Sequence, residues 1–186
     1  MGLLDGKKGL VLNIANDRSI AAHIAHNAVK QGATCGFGFL PMDNPEKSER
    51  RVRKAMEEHG FTDSWLHPCD VGSDQQIERF FAAAKDRFGT IDFLVHSLAF
   101  ADRNYLVKGK FHETPRNVFA QALDISAYSL IAITRAAMPL MTTRISPSRH
   151  CIRQVAIVSI PRWSMHWPGW NQTFIPTQCR RPVRTA

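Results

Sequence analysis

The sequence is short of several things at once. No apolar run approaches the roughly 18 residues that would cross a bilayer. The opening "MGLLDGKKGLVLN" has no apolar stretch closing on a small-residue cleavage site. A chain without a helical span or secretory leader is the expectation, with a cytoplasmic location. The four cysteines, at 35, 69, 151 and 179, form no CxxC pair, so neither a zinc site nor a disulfide framework is expected. The glycine fingerprint G-x-G-x-x-G is absent. Lysine stops at Lys110, tyrosine stops at Tyr128, and residues 142–186 contain no acid. That last gap localises the charge. The chain carries a net +8, yet the final 45 residues hold seven unopposed arginines and the first 141 come to only +1. Basicity spread over a domain would suggest nucleic acid. Confined to a tail it does not, and neither nucleic acid nor membrane is an expected partner.

What is present is a regular alternation within 186 residues, enough for one sizeable core. "KGLVLNIA" (8–15) reads as an apolar strand. Ser19 then caps a helix, "SIAAHIAHNAVKQG", with Ile20, Ile24, Ala28 and Val29 on its apolar face. "ATCGFGF" (33–39) is a second strand whose glycines permit a close approach. Residues 44–60 form an exposed helix with Asn44 as cap and Pro45 in its first turn. A third strand, 63–71, leads to a helix at 72–89, where Ser73 and Gln76 make a capping box. "IDFLVHSLAF" (91–100) is the fourth strand, and 114–141 reads as one long helix capped by Thr114. Strands alternating with helices predict an α/β fold: a doubly wound, Rossmann-like, three-layer domain around a parallel sheet. Residues 153–160, "RQVAIVSI", are a candidate fifth strand, after which the domain is expected to be truncated.

Ligands of such sheets lie at the carboxyl ends of the strands. Asn13, Ile14 and Ala15 fall there after strand one, ahead of a helix beginning at Ser19 whose unpaired first N–H groups suit a phosphate. Asp70, followed by Val71, ends strand three, where a carboxylate can accept from an adenine amine or simply form a turn. Ser97, Leu98 and Ala99 make a small-residue turn after strand four on which a flat ligand can lie. His96, Asp92 and Asp124 are expected to be structural.

"GKKGLVLNIANDRSIA", "CDV", "IDFLVHSLAFADR" and "ALDISAYSL", in this order and spacing, resemble the bacterial enoyl-[acyl-carrier-protein] reductases, a divergent branch of the short-chain dehydrogenase/reductase superfamily. The resemblance covers about residues 2–141. It implies reduction of a trans-2-enoyl chain on acyl carrier protein by hydride from NADH, with NADPH less favoured, and a homotetrameric assembly that this chain is not expected to complete. It assigns Ser19 and Ile20 to the cofactor diphosphate, Asp70 and Val71 to adenine, Leu98 to the nicotinamide side and Ala101 to the acyl substrate. Asn13 and Ala99 stand where the family usually has glycine. The stretch "GFLPMDN" has no acid for the adenine ribose, and Arg50, Arg51 and Arg53 follow soon after.

The family's active tyrosine and lysine follow strand five, where this chain has neither. Tyr105 with Lys108 or Lys110 has the wrong spacing, and Tyr128 lies inside the helix motif. No catalytic residue is therefore assigned, and low activity is expected. Residues 142–186 hold five of ten prolines and three of four tryptophans. They are expected to be a distinct tail, the product of a shifted reading frame, following a dinucleotide-binding domain at 1–141. Two other readings are a different short-chain dehydrogenase/reductase, and a non-catalytic nucleotide fold whose Arg/Trp tail holds nucleic acid or an anionic membrane.

Overall fold

The computed structural model describes residues 2–61 and 63–142. The candidate fifth strand and the arginine-rich tail lie outside them. The described chain runs β1 (Lys8–Leu12), α1 (Ile20–Lys30), β2 (Thr34–Phe39), α2 (Pro45–Glu57), β3 (Leu66–Pro68), α3 (Asp74–Phe88), β4 (Phe93–His96), α4 (Arg116–Leu123) and α5 (Ser129–Ala137). The strands form one parallel sheet in the order β3-β2-β1-β4. β1 and β4 are neighbours, with Leu10 opposite Leu94 and Leu12 opposite His96. β1 is apolar on both faces because both are covered. Leu10 and Leu12 pack with Phe80, Phe81 and Ile133 from α3 and α5. Val11 packs with Ala21, Ala25, Val52 and Met56 from α1 and α2. The three-layer, doubly wound expectation is met.

The details differ from the sequence reading in instructive ways. α1 buries Ala21, Ala22, Ala25 and Ala28, while Ile20 and Val29 are 37% and 39% exposed. Its sheet-facing stripe is made of methyl groups, which let the helix axis come close, and the larger aliphatics lie at the flank. Gly36 and Gly38 open space for the protein itself. A Cβ on Gly36 would lie 2.7 Å from the Phe88 ring, and one on Gly38 would meet Leu12 and lie 3.2 Å from the Phe80 ring. Ser73 caps α3 by accepting from the Gln76 N–H at 3.4 Å, but the Gln76 side chain turns to the Asp70 N–H, 3.2 Å away, instead of closing the box. The long helix expected at 114–141 is broken. Pro115 caps α4, the Thr114 hydroxyl donates back to the Phe111 carbonyl at 2.7 Å, and a five-residue π-helical segment, Asp124–Tyr128, separates α4 from α5. Past α5 the chain passes the outer edge of β4: Ile91 N–H donates to Leu140 O and Thr142 N–H to Ile91 O, each at 2.9 Å, forming a parallel bridge between Ile91 and Met141.

Asp92 anchors this edge. Burial alone would raise its pKa, but hydrogen bonds from the Lys8 backbone N–H at 2.9 Å, Lys7 Nζ at 3.0 Å and the Thr142 hydroxyl at 3.1 Å hold the carboxyl below its usual range. It is structural, as expected from its place at the start of a strand.

Candidate functional site

From β1 the chain winds outward to β2 and β3, and then returns across the sheet to place β4 on the other side of β1. The reversal makes a topological switch point beyond the carboxyl ends of β1 and β4, the usual ligand position in an open parallel sheet. Asn13 sits there with φ 69°, the one non-glycine residue of positive φ among the described residues. Asparagine tolerates that left-handed conformation better than most residues. Its N–H donates to Gly38 O at 3.0 Å and its Nδ2 to Ser97 O at 3.2 Å, so it fastens the loop after β1 to the strand on either side.

Ser19 caps α1. Its hydroxyl accepts from the Ala22 N–H at 3.4 Å and donates to the Asn16 carbonyl at 2.7 Å. The capping reading is therefore realised. The start of an 11-residue helix, with its unpaired N–H groups and positive dipole end, faces the same edge of the sheet. Ala15 and Ser19 are half-buried, whereas the Ile14 side chain is core, packed with Val11 and Phe37.

On the other wall, residues 97–101 are held by the π-helical segment. The Ser126 hydroxyl accepts from the Phe100 N–H at 2.9 Å. Fully buried His96 bonds through Nε2 to Ser129 Oγ at 2.8 Å, and that hydroxyl donates to Ile125 O at 2.6 Å. Burial pushes the His96 imidazole below its ordinary pKa, and Nδ1 has no partner among the described residues. The ring is a neutral strut, in keeping with the structural role expected of it. Ser126 and Ser129 were singled out by no chemical argument from sequence. The π segment carries Ser126 and runs straight into Ser129 at the start of α5, and the two hydroxyls bond to Phe100 and to His96 at the end of β4. Leu98 is half-buried against the core, and Ala99 and Ala101 are exposed on the loop.

Asp70 lies on the same edge, at the end of β3. One carboxylate oxygen accepts from the Gly72 N–H at 2.9 Å, so the turn-forming reading holds for that atom. Val71 is buried beside Ile77 and Cys69, so only its main chain is available to a ligand. The structure thus joins Asn13 to Ser97 directly, puts Ala15, Ser19 and residues 97–101 in the loops after the neighbouring strands β1 and β4, and sets Asp70 two strands away from β1. Tyr128 is 44% exposed on the π segment, and Tyr105 lies in a surface 3₁₀ turn at Arg103–Tyr105.

The model of the enoyl-(acyl carrier protein) reductase family matches residues 14–159. The chain belongs to this family. An NADH-named enoyl-[acyl-carrier-protein] reductase of Nostoc sp. is 45% identical over 139 residues, 75% of this chain and 52% of that protein. Among solved structures, the enoyl reductase of Anaplasma phagocytophilum in complex with NAD is 36% identical at a TM-score of 0.67, covering 76% of this chain and 52% of the other. The Bacillus cereus enoyl reductase, solved with NADP+ and an indole naphthyridinone, is 39% identical at a TM-score of 0.68, covering 76% and 53%. The chain therefore spans about half the length of the relatives it matches.

Proposed function

We propose that this chain carries the cofactor half of an NADH-dependent enoyl-thioester reductase acting on acyl-carrier-protein substrates. The carrying observation is the switch point at the carboxyl ends of β1 and β4, where a bond from Asn13 to Ser97 O joins the loop that leads to a helix N-terminus to a loop of small residues. The residues fit the group. The start of α1 offers the Ile20 N–H and its positive dipole end to a diphosphate beside Ser19, whose own N–H and hydroxyl are given to the Asn16 carbonyl, and the second carboxylate oxygen of Asp70 can take the adenine amine. Main chain at Asn13, Ile14, Ala15 and Val71 lines the path. Ser97, Leu98 and Ala99 leave the nicotinamide side uncrowded, and exposed Ala101 borders the acyl chain. When bound, NADH supplies hydride to the enoyl thioester. The protein's part within the described residues is to bind, orient and fix the two loops.

Its part in stabilising negative charge on the substrate is what the sequence does not provide. There is no tyrosine beyond Tyr128 and no lysine beyond Lys110. Loss of one such electrostatic donor commonly costs about 10²–10³ in turnover, so no catalytic residue is assigned and slow turnover is expected. A crotonyl thioester assay following the absorbance of NADH tests this. NADH binding with turnover far below the ~10 s⁻¹ typical of enzymes supports it, and turnover at that level overturns it.

A second cofactor has one observation in its favour. Lys47, Arg50, Arg51 and Lys54 line a groove of about 680 Å³ beyond β2, beside Asp43 and Asn44. Cations there suit the 2′-phosphate of NADPH, and a parallel NADPH titration separates the two.

The same reading makes the chain cytoplasmic and self-associating. No described helix is long and apolar enough to cross a membrane. α4 buries none of its residues, and Phe119, Leu123 and Ile131 are each at least half exposed. A second copy of the chain is the proposed cover, short of the family's tetramer. The family match ends at residue 159, so the proposed boundary between a domain at 1–141 and a frame-shifted tail at 142–186 falls inside it. Reading the coding DNA past Met141 in all frames decides that point.

A further inference from the structure

Residues 14–18 join β1 to α1, and their internal bonds converge on Asn16. Its carbonyl accepts from the Ser19 N–H at 3.1 Å and the Ser19 hydroxyl at 2.7 Å, and its Oδ1 accepts from the Arg18 N–H at 3.0 Å. These bonds shape the loop without fixing where it sits on the domain. Among the described residues, one hydrogen bond ties 14–18 to an element other than the helix they lead into: His59 Nε2 to the Asp17 carbonyl oxygen, 2.7 Å apart and 42 positions apart in sequence. A carbonyl only accepts, so Nε2 carries the proton.

The donor is itself wedged in place. The His59 ring, just past α2, stacks on Phe61 with centroids 6.0 Å apart and planes 18° apart. It stands edge-on to His23 at 5.2 Å and tilted against His26 at 5.8 Å, both from α1. A planar donor packed between Phe61 and two side chains of α1 is a stiffer post than a lone surface side chain, and it adds a second tether to the loop, beyond those of Asn13, two residues before Ser19.

We propose that His59 is a positioning residue for cofactor binding, acting through the Asp17 carbonyl to hold the loop at the start of α1 in its binding shape. This rests on the assignment of the Ser19 region to the diphosphate.

The test uses the full chain with two variants. H59F keeps a stacking ring and removes the donor, and H59Q removes the ring and keeps an N–H. NADH affinity is measured by calorimetry, and exchange of the Arg18 and Ser19 amides by NMR without ligand. H59F is expected to bind NADH about three- to tenfold more weakly, the scale of one net hydrogen bond, and to exchange those amides several-fold faster. H59Q is expected to return both toward wild type. Equal affinity and exchange in H59F and wild type would overturn the proposal, as would H59Q behaving like H59F. Faster exchange without weaker binding would overturn the positioning role while leaving the tether. Should the wild type bind no NADH, the diphosphate assignment fails by itself, and the exchange data still decide whether His59 holds the loop.

Discussion

At φ 69° Asn13 adopts a backbone conformation that costs an ordinary L-residue about 1–2 kcal/mol. Its side chain returns a hydrogen bond to Ser97 O in the loop after β4, worth about 1 kcal/mol. Asn13→Ala loses the bond and keeps the strain, and urea unfolding is expected to show a loss of about 2 kcal/mol, with Asn13→Gly losing less. His96 makes a second residue-level case. Removing its partner with Ser129→Ala leaves a buried N–H unpaired, at an expected cost of about 1–3 kcal/mol. The folded pKa of His96 lies below the ordinary 6.5 because burial disfavours the cation. The unfolded chain therefore takes up the proton first as pH falls. This contribution to stability is complete above about pH 6.5 and is lost on acidification toward the folded pKa. His96→Asn should flatten the wild-type decline in urea midpoint between about pH 7.5 and 5. A decline of unchanged steepness would contradict the buried, neutral ring. Burial also pushes the Cys35 and Cys69 thiols up, to about 11 and about 12, with the Asp70 charge adding to the rise at Cys69. Both are expected to resist alkylation at neutral pH until the chain unfolds, as mass-mapped labelling would show.

The four strands and the first three helices were legible because apolar stretches and caps carry them. Ser19, Asn44 and Ser73 all cap the helices they precede. The buried face of α1 was legible in part: Ala28 is buried and Ile24 packs against the core, but Ala21, Ala22 and Ala25, at 0% exposure, were hidden because large aliphatics dominate a periodicity reading. Ala25→Leu inserts bulk where the helix and sheet meet, and a loss of about 1–3 kcal/mol in urea unfolding is expected. Ile20→Ala, on the exposed flank, should change stability much less. The break in the long helix was likewise hidden. "DISAYS" contains no proline or glycine to mark it, and a π segment depends on the tertiary bonds of Ser126 and Ser129 to the end of β4. Such segments are enriched at functional sites.

At the scale of the molecule, strand order rather than any single motif makes the site. The sheet reverses at β1 and β4, and the polar and small residues after those strands were visible in the sequence as candidates for the carboxyl ends of the strands. What the sequence hid was the partnership between them, because the bond from Asn13 to Ser97 spans 84 positions. The cofactor site at this switch point is the central claim, and Ser19 offers the most direct test of it. Ser19→Asp keeps an effective helix cap and adds a negative charge where the diphosphate is proposed to bind. The decisive measurement is a calorimetric titration of NADH into wild-type chain and Ser19→Asp, with thermal unfolding as a control. The account expects saturable binding by the wild type, and at least tenfold weaker binding, about 1.4 kcal/mol, by a variant that melts like wild type. Equal affinity in the two proteins, or no binding by either, would contradict it.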